Sequence, residues 1–410
     1  MCIIQNRFDS TEWAGTQVPK IRVERDISVP DGLRVSRALS APHLGPQILF
    51  FSGGSALNDI SRQLKRYTYN SIHLITPFDS GGSSQVLRRA FDMPAVGDLR
   101  SRLMALADET VLGQPDIYAL FSRRLDKDGS QKELRAEVAA MSAGKHPLIR
   151  AISRPMRSLI QTFLHSFETH APEDFDYRNA SIGNLIIAGG YLGHDRALEP
   201  VLFLMSKMVD VRGTVRSVVD ANLQLGAELA DGRRLTGQRE ITGKEVEPPE
   251  SRIARLFLSD GKKEIAAGEI ALPKRNRRLI DQAEVICYPP GSLYSSVVVN
   301  LMPAGVGKAI AARHVPKVYL PSLGPDPEAL GHDLADQVAA ILAPLRADAG
   351  GDVPTGALMT HVVCDLSHDA AACAEVTNRF GIPCVRLPLS GEDATRYDPQ
   401  KVCEMLVSTG

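Results

Sequence analysis

The chain has 410 residues and a formal net charge of −1, and its hydrophobic (44%) and charged (23%) fractions are those of an ordinary globular protein. That length supports a well-buried core, as one large α/β domain with insertions or as two domains, without disulfide or metal staples. The charge balance supplies no basic field for coating nucleic acid, and no segment approaches the roughly 20 apolar residues of a membrane span.

Residues 1–46 are an extension to which no element is assigned. The chain then settles into a rhythm of apolar run, small-residue loop and helical periodicity. In the first part of the core (47–108), QILFF (47–51) leads through SGGSA to a helix striped by Leu57, Ile60, Leu64 and Tyr67. SIHLIT (71–76) leads through PFDSGGSS to the amphipathic VLRRAF. Residues 109–177 carry helical stripes such as Met156, Leu159, Ile160, Phe163, Leu164 and Phe167 without strand signals, and read as a helical insertion. The core resumes over 178–208 with RNASIGNLIIAGGYL, an apolar helix or strand. Residues 209–275, with DVRGTVRSVV and GKKEIAAGEIAL, read as a small β-rich segment.

The second part of the core (276–410) repeats the rhythm: AEVICY (283–288) before PPGSLYSS, then KVYL (317–320) before PSLGPDPE and a helix lined by Leu334, Val338, Ile341 and Leu345. MTHVVCDL (359–366) and GIPCVRLPL (381–389) are further strand candidates. Strands alternating with helices place the chain in the α/β class, with a mainly parallel sheet covered on both faces. The six cysteines show no C-x-x-C spacing and sit mostly in apolar runs, so they read as reduced and buried. The start, MCIIQNRFDSTEW, lacks the apolar stretch of a signal peptide, so a cytoplasmic location is expected.

In an open parallel sheet ligands lie beyond the carboxyl ends of the strands. Here those ends carry Gly53, Gly54 and Ser55; Gly81, Gly82, Ser83 and Ser84; and Gly291, Ser292, Ser295 and Ser296. Glycine and serine let backbone N–H groups approach an oxyanion closely, so three such loops point to a phosphate-bearing ligand. The usual nucleotide fingerprints are absent: SGGSALND does not fit G-x-G-x-x-G, and neither GVGKAI nor ITGKEV fits the P-loop pattern.

Asp79 suits a Mg²⁺ ligand or a general base toward a hydroxyl, against the alternative of an Asx turn. Asp98 precedes Leu99, Leu103 and Leu106, where a helix N-cap competes with a supporting role at the site. Arg88, Arg100 and Arg102 lie on the helices leaving these loops and have the planar fork that pairs with phosphate, or they solvate a face. Asn179, Ser181 and Asn184 precede an apolar element as caps or as readers of a base or hydroxyl edge, and Tyr294 covers a ring or packs.

Four blocks, GGSALNDISRQLKRY, DSGGSSQVLRRAFDMPAVGDLRSRLMALAD, ASIGNLIIAGGYL and PPGSLYSSVVVNLM, resemble in order the motif set of the 2-phospho-L-lactate transferase (CofD-like) family and the related bacterial gluconeogenesis-factor proteins. The resemblance implies a Rossmann-like doubly wound sheet, a homodimer, and either of two activities. Transferase members move a phospholactyl-type group from a guanosine diphosphate-linked donor to a ribityl hydroxyl with Mg²⁺ and release of GMP; regulatory relatives bind UDP-sugars. It places Asp79 at the metal or acceptor and Gly53, Gly54, Gly291 and Ser292 around the diphosphate. The chain departs from the family's D-D-G-G-S-S-G at Ser80 and Gln85, and from its usual threonine at Ser295. Pro289 and Pro290 stand at the expected glycine-proline, and PSLGPDPE replaces an Asn-rich stretch. A divergent transferase taking a nucleoside diphosphate-linked small molecule is expected, with a nucleotide-binding regulator as the alternative.

Overall fold

The computed structural model describes residues 26–110, 113–243 and 246–410, so the first 25 residues of the unassigned extension, Cys2 among them, lie outside the described residues. In chain order the strands are β1 (Ile48–Ser52), β2 (Ile72–Ile75), β3 (Thr214–Ser217), β4 (Gln224–Leu229), β5 (Arg234–Thr236), β6 (Ile253–Ser259), β7 (Glu264–Ile265), β8 (Val285–Tyr288), β9 (Lys317–Tyr319), β10 (His361–Asp365) and β11 (Cys384–Leu387). Seven of them form one parallel sheet in the order β11-β10-β9-β8-β1-β2-β3, and four form a small antiparallel sheet in the order β5-β4-β6-β7. This is a Rossmann-like α/β fold. From β1 the chain winds outward through β2 and β3, then returns to β8 on the other side and winds outward through β11. The topological switch point therefore lies between β1 and β8, the place where ligands of open α/β sheets bind.

Alternation along β1 divides the core between the two faces of the sheet. Leu49 and Phe51 pack with Ile286, Tyr288 and the inner face of the small sheet, while Ile48 and Phe50 pack with Val285, Cys287, Val318 and the C-terminal helix Pro399–Thr409. All five residues of β1 are buried, as a central parallel strand requires.

The segment read as a helical insertion carries helices Pro115–Ser122, Gln131–Ser142, Pro147–Ala151 and Met156–His170. The apolar stretch after Ser181 is a helix, Ile182–Gly193. It lies so close to Met156–His170 that a Cβ at Gly189 would run into the Phe163 carbonyl oxygen. The segment read as β-rich is split: β3 leaves it to pair in parallel with β2, through Ile72↔Thr214 to Ile75↔Ser217, and only β4 to β7 form the separate sheet. The four residues of β3 are too few for a periodic signal to separate them from that segment. Of the extension, the helix Gly32–Ser40 is capped by Asp31 and packs on the C-terminal helix. No helix among the described residues is long and apolar enough to cross a membrane.

Candidate functional site

Gly53 follows β1 directly, at the switch point. A Cβ there would stand 2.5 Å from the Thr76 methyl, 3.3 Å from Asp98 Oδ2 and 3.3 Å from Ser296 Oγ. One glycine thus sits where the ends of β1 and β2, the helix Gly97–Leu106 and the turn after β8 converge, and no side chain fits there. Gly54 follows at φ +56°, a conformation glycine adopts without strain. Its N–H donates to Asp98 Oδ2 at 2.7 Å.

Asp98 is the second residue of its helix, not its cap. Burial, then the nearby Asp79 carboxylate, pushes its carboxyl up to about 7, against the Gly54 N–H and the guanidinium groups of Arg102 and Arg100. Asp79 makes the Asx turn and also stands beside Asp98. Its Oδ1 accepts the Gly81 N–H at 2.9 Å in an Asx turn, while Oδ2 lies 3.4 Å from where a Gly97 Cβ would stand, next to Asp98. That same Cβ would collide with Ser84 Oγ. Gly82, at φ +47°, opens the helix Gly82–Phe91 with Ser83 and Ser84 in its first turn.

The cations behind the loops are fixed by the protein. Arg102 is 1% exposed, donating to Ser61 Oγ at 2.5 Å and to the Gly54 carbonyl at 3.4 Å. Its Nε has no partner among the described residues, and burial pulls the guanidinium down to about 10. Drawing the Gly54 carbonyl toward Arg102 turns the N–H of Ser55, on the same planar peptide, the opposite way. Arg100 donates through Nε to Asn184 Oδ1 at 2.9 Å, and Asn184 Nδ2 donates to Ser83 Oγ at 3.0 Å, a relay that pins the start of the serine-bearing helix. Arg88, expected on phosphate, instead ties loops together: it donates to the carbonyls of Phe78 (3.3 Å), Asp79 (3.1 Å) and Leu223 (2.6 Å) and to Asn222 Oδ1 (3.2 Å).

The third loop is partly occupied from within. Gly291, at φ +157°, donates its N–H to Ser322 Oγ at 3.0 Å. The N–H of Leu293 goes to Asp326 Oδ2 at 2.7 Å, and those of Tyr294 and Ser295 go to Glu328 Oε2 at 2.8 Å each. Ser295 Oγ also donates to Glu328 Oε1, at 2.5 Å. Ser295, read as a phosphate contact, is therefore turned to a buried carboxylate. Burial first, and Asp326 second, push Glu328 up to about 7. Ser292 begins this π-helical turn (Leu293–Val298), and Ser296, four residues on, is the hydroxyl that faces Gly53 and Gly54. Tyr294 is directed away from the crevice: its hydroxyl meets His332 Nε2 at 2.8 Å. Asn179 is exposed in a turn at φ +54° ahead of the helix Ile182–Gly193, outside this cluster.

The structure thus gathers Gly53, Gly54, Asp79, Ser84, Asp98 and Ser296 into one cluster, with Ser55 next along the loop. The residues that sequence reasoning missed are Glu328 and Asp326, read only as part of an altered loop, and the buried role of Arg102. Two acids spaced two apart, between the end of a strand and the helix lined by Leu334, were the available signal.

The profile of the family described as 2-phospho-L-lactate transferase CofD matches residues 48–384. The chain belongs to the CofD family. Within the CofD family it is similar to the protein named gluconeogenesis factor of Bacillus subtilis, 28% identical over 72% of this chain and 74% of that protein. It is also similar to the protein of the same name from Halalkalibacterium halodurans, 28% identical over 72% of each chain. The crystal structure of a UPF0052 family member from Bacillus halodurans shares the fold at TM-score 0.64 and 22% identity, covering 88% of this chain and 98% of that one. In this CofD family member the motif position expected to carry a second acid is Ser80. Its Oγ accepts the Arg239 N–H at 3.0 Å and its own N–H donates to Gln238 Oε1 at 3.4 Å, so the short helix Gln238–Thr242 after β5 leans on the motif loop.

Proposed function

We propose that the protein transfers a phosphoryl-linked group from a nucleoside diphosphate-linked donor to an acceptor hydroxyl, with release of a nucleoside monophosphate. The observation that carries this reading is the Asp79–Asp98 carboxylate pair beside Gly53, at the switch point of a CofD family sheet. The family's description, a transferase, supports the reaction class.

Mg²⁺ fits these residues. Two carboxylates and the Ser84 hydroxyl are hard oxygen donors, and a pair in which burial and then the Asp79 charge raise Asp98 is an arrangement a divalent cation relieves. Two protein carboxylates suit an ion that keeps water and substrate phosphate in its shell. When bound, Mg²⁺ would offset the negative charge of the diphosphate. The Gly53–Ser55 loop and the first turn of Gly82–Phe91 hold the diphosphate, with Arg102 fixing the peptide that carries the Ser55 N–H. A carboxylate oxygen of the Asp79–Asp98 pair left free by the cation takes the proton of the acceptor hydroxyl as its oxygen bonds to phosphorus. The bond from that phosphorus to the bridging oxygen breaks, and the electron pair leaves with the nucleoside monophosphate.

That relatives are named gluconeogenesis factor rather than transferase favours a second reading, a non-catalytic regulator, whose ligand on the resemblance of its motifs would be a nucleotide or nucleotide-sugar. It is compatible with the N–H groups of Gly54 and Leu293–Ser295 being satisfied internally. Incubation with GDP- and UDP-linked donors, a hydroxyl acceptor pool and Mg²⁺, with measurement of released GMP or UMP, separates the two. The expected result is release that Asp98→Asn reduces by about 100-fold or more while nucleotide binding persists. Calorimetric binding without release supports the regulator, and no binding of either nucleotide overturns both.

A further inference from the structure

We propose that Cys364, Cys373 and Cys384 form an oxidant-reactive thiol site in which Cys384 attacks a hydroperoxide and one of the other two closes a disulfide onto it. The three come from one β-α-β unit. Cys364 lies on β10 and Cys384 on β11, the edge strand of the large sheet. The register pairs Val362 with Cys384 and Cys364 with Arg386, so the two cysteines are offset by two positions and share a face. The connecting helix Ala370–Phe380 packs over that face, and Cys373 and Val376 are its buried residues.

All three belong to one apolar cluster, with Cys364 and Cys373 inside it and Cys384 against its border. The three thiols are near enough that the electrostatics of each is set in part by the other two. Cys384 is the accessible member, only partly buried on an edge strand, while Cys364 is 0% exposed and Cys373 5%. The neighbouring Cys364 thiol, against the effect of burial, holds the Cys384 thiol below its ordinary value, which favours the nucleophilic thiolate there. A thiolate-favouring, accessible cysteine beside resolving thiols has the features of a peroxide-reactive site.

The chemistry balances with one hydroperoxide, ROOH. The Cys384 thiolate bonds to the outer oxygen, the O–O bond breaks, and the alkoxide leaves and takes up a proton, giving a sulfenic acid and ROH. The thiol of Cys364 or Cys373 then bonds to the Cys384 sulfur, the S–O bond breaks, and hydroxide leaves with the thiol proton as water. Two thiols are oxidised by two electrons and the peroxide is reduced by two.

The test treats the reduced full-length chain with one equivalent of hydrogen peroxide, then alkylates free thiols and maps peptides by mass spectrometry. The expected result is a cross-link from Cys384 to Cys373 or Cys364, while Cys287 and Cys403, both fully buried, stay alkylatable after unfolding. Cys384→Ser removes that cross-link, and Cys364→Ser and Cys373→Ser made singly show which thiol resolves. Should Cys384→Ser fold poorly, blocking Cys384 in the native wild-type chain with a small alkylating reagent before peroxide gives the same readout. Oxidation to sulfinic acid without a cross-link, or unchanged peroxide consumption after loss or blockage of Cys384, overturns the proposal.

Discussion

The Gly54 N–H donates to Asp98 Oδ2 at 2.7 Å across 44 residues of sequence, so the carboxylate at the start of one helix holds the glycine loop that ends the central strand. In that position it carries both the electrostatic strain of the site and the shape of the crevice floor.

Asp98 makes stability and metal binding respond to pH in opposite directions. Its folded-state carboxyl, near 7, lies above the 3.8 of an unperturbed aspartate, so between these values the folded chain holds more protons than the unfolded one. The contribution is fully present below the unfolded value and is lost as pH rises through about 7. Denaturant titrations from pH 5 to 8 are expected to show declining stability, and Asp98→Asn to flatten part of that slope. Mg²⁺ affinity, which needs the ionised carboxylate, is expected to rise over the same range.

Arg102 acts on Asp98 as a buried positive charge as well as on the Gly54 carbonyl. Arg102→Met removes the charge that lowers Asp98, so the midpoint of pH-dependent Mg²⁺ binding is expected to move upward. Nucleotide affinity is expected to fall about tenfold, on the order of one charged hydrogen bond. Calorimetry across pH measures both, and Arg102→Lys should restore the midpoint more fully than the affinity, because it keeps the charge but loses the fork.

Much of the scaffold is legible in the sequence, and the failures have physical causes. The strands of the large sheet, except β3, stand out as apolar runs ending in small residues, and the three glycine loops do fall at strand ends. Asp79 stands out because its loop has little else to offer chemically. Asp98 looks like a helix cap because a local motif cannot reveal a partner 44 residues away. Arg88 and Arg102 look alike on the page. One is laced to four protein acceptors and the other is buried under the glycine loop, a distinction made only by tertiary packing.

Glu328 stabilises the π-helical turn by accepting two N–H groups and the Ser295 hydroxyl while 1% exposed. Glu328→Ala leaves those donors buried and unmatched, an expected loss of about 3 kcal/mol or more. Glu328→Gln keeps one acceptor oxygen and is expected to lose less. Equilibrium denaturation of both variants checks the order.

Gly189 permits the contact between the helices Met156–His170 and Ile182–Gly193. Because its Cβ would strike the Phe163 backbone rather than a movable side chain, Gly189→Ala is expected to destabilise by about 2–3 kcal/mol through overpacking. Thermal melting reads the loss. Nucleotide affinity below the melting transition should change little, since Ile182–Gly193 meets the serine-bearing helix through Asn184, five residues before Gly189.

The hydrogen bond from Arg239 to Ser80 joins two portions of the chain with separate architectures. One side of the opening is therefore borrowed from an antiparallel unit that contributes no strand to the parallel scaffold. A chimera carrying another relative's residues 220–270 would keep this scaffold's own carboxylates and glycines while presenting a different gatekeeper to incoming molecules, so discrimination among acceptors can diverge without redrafting the chemical centre.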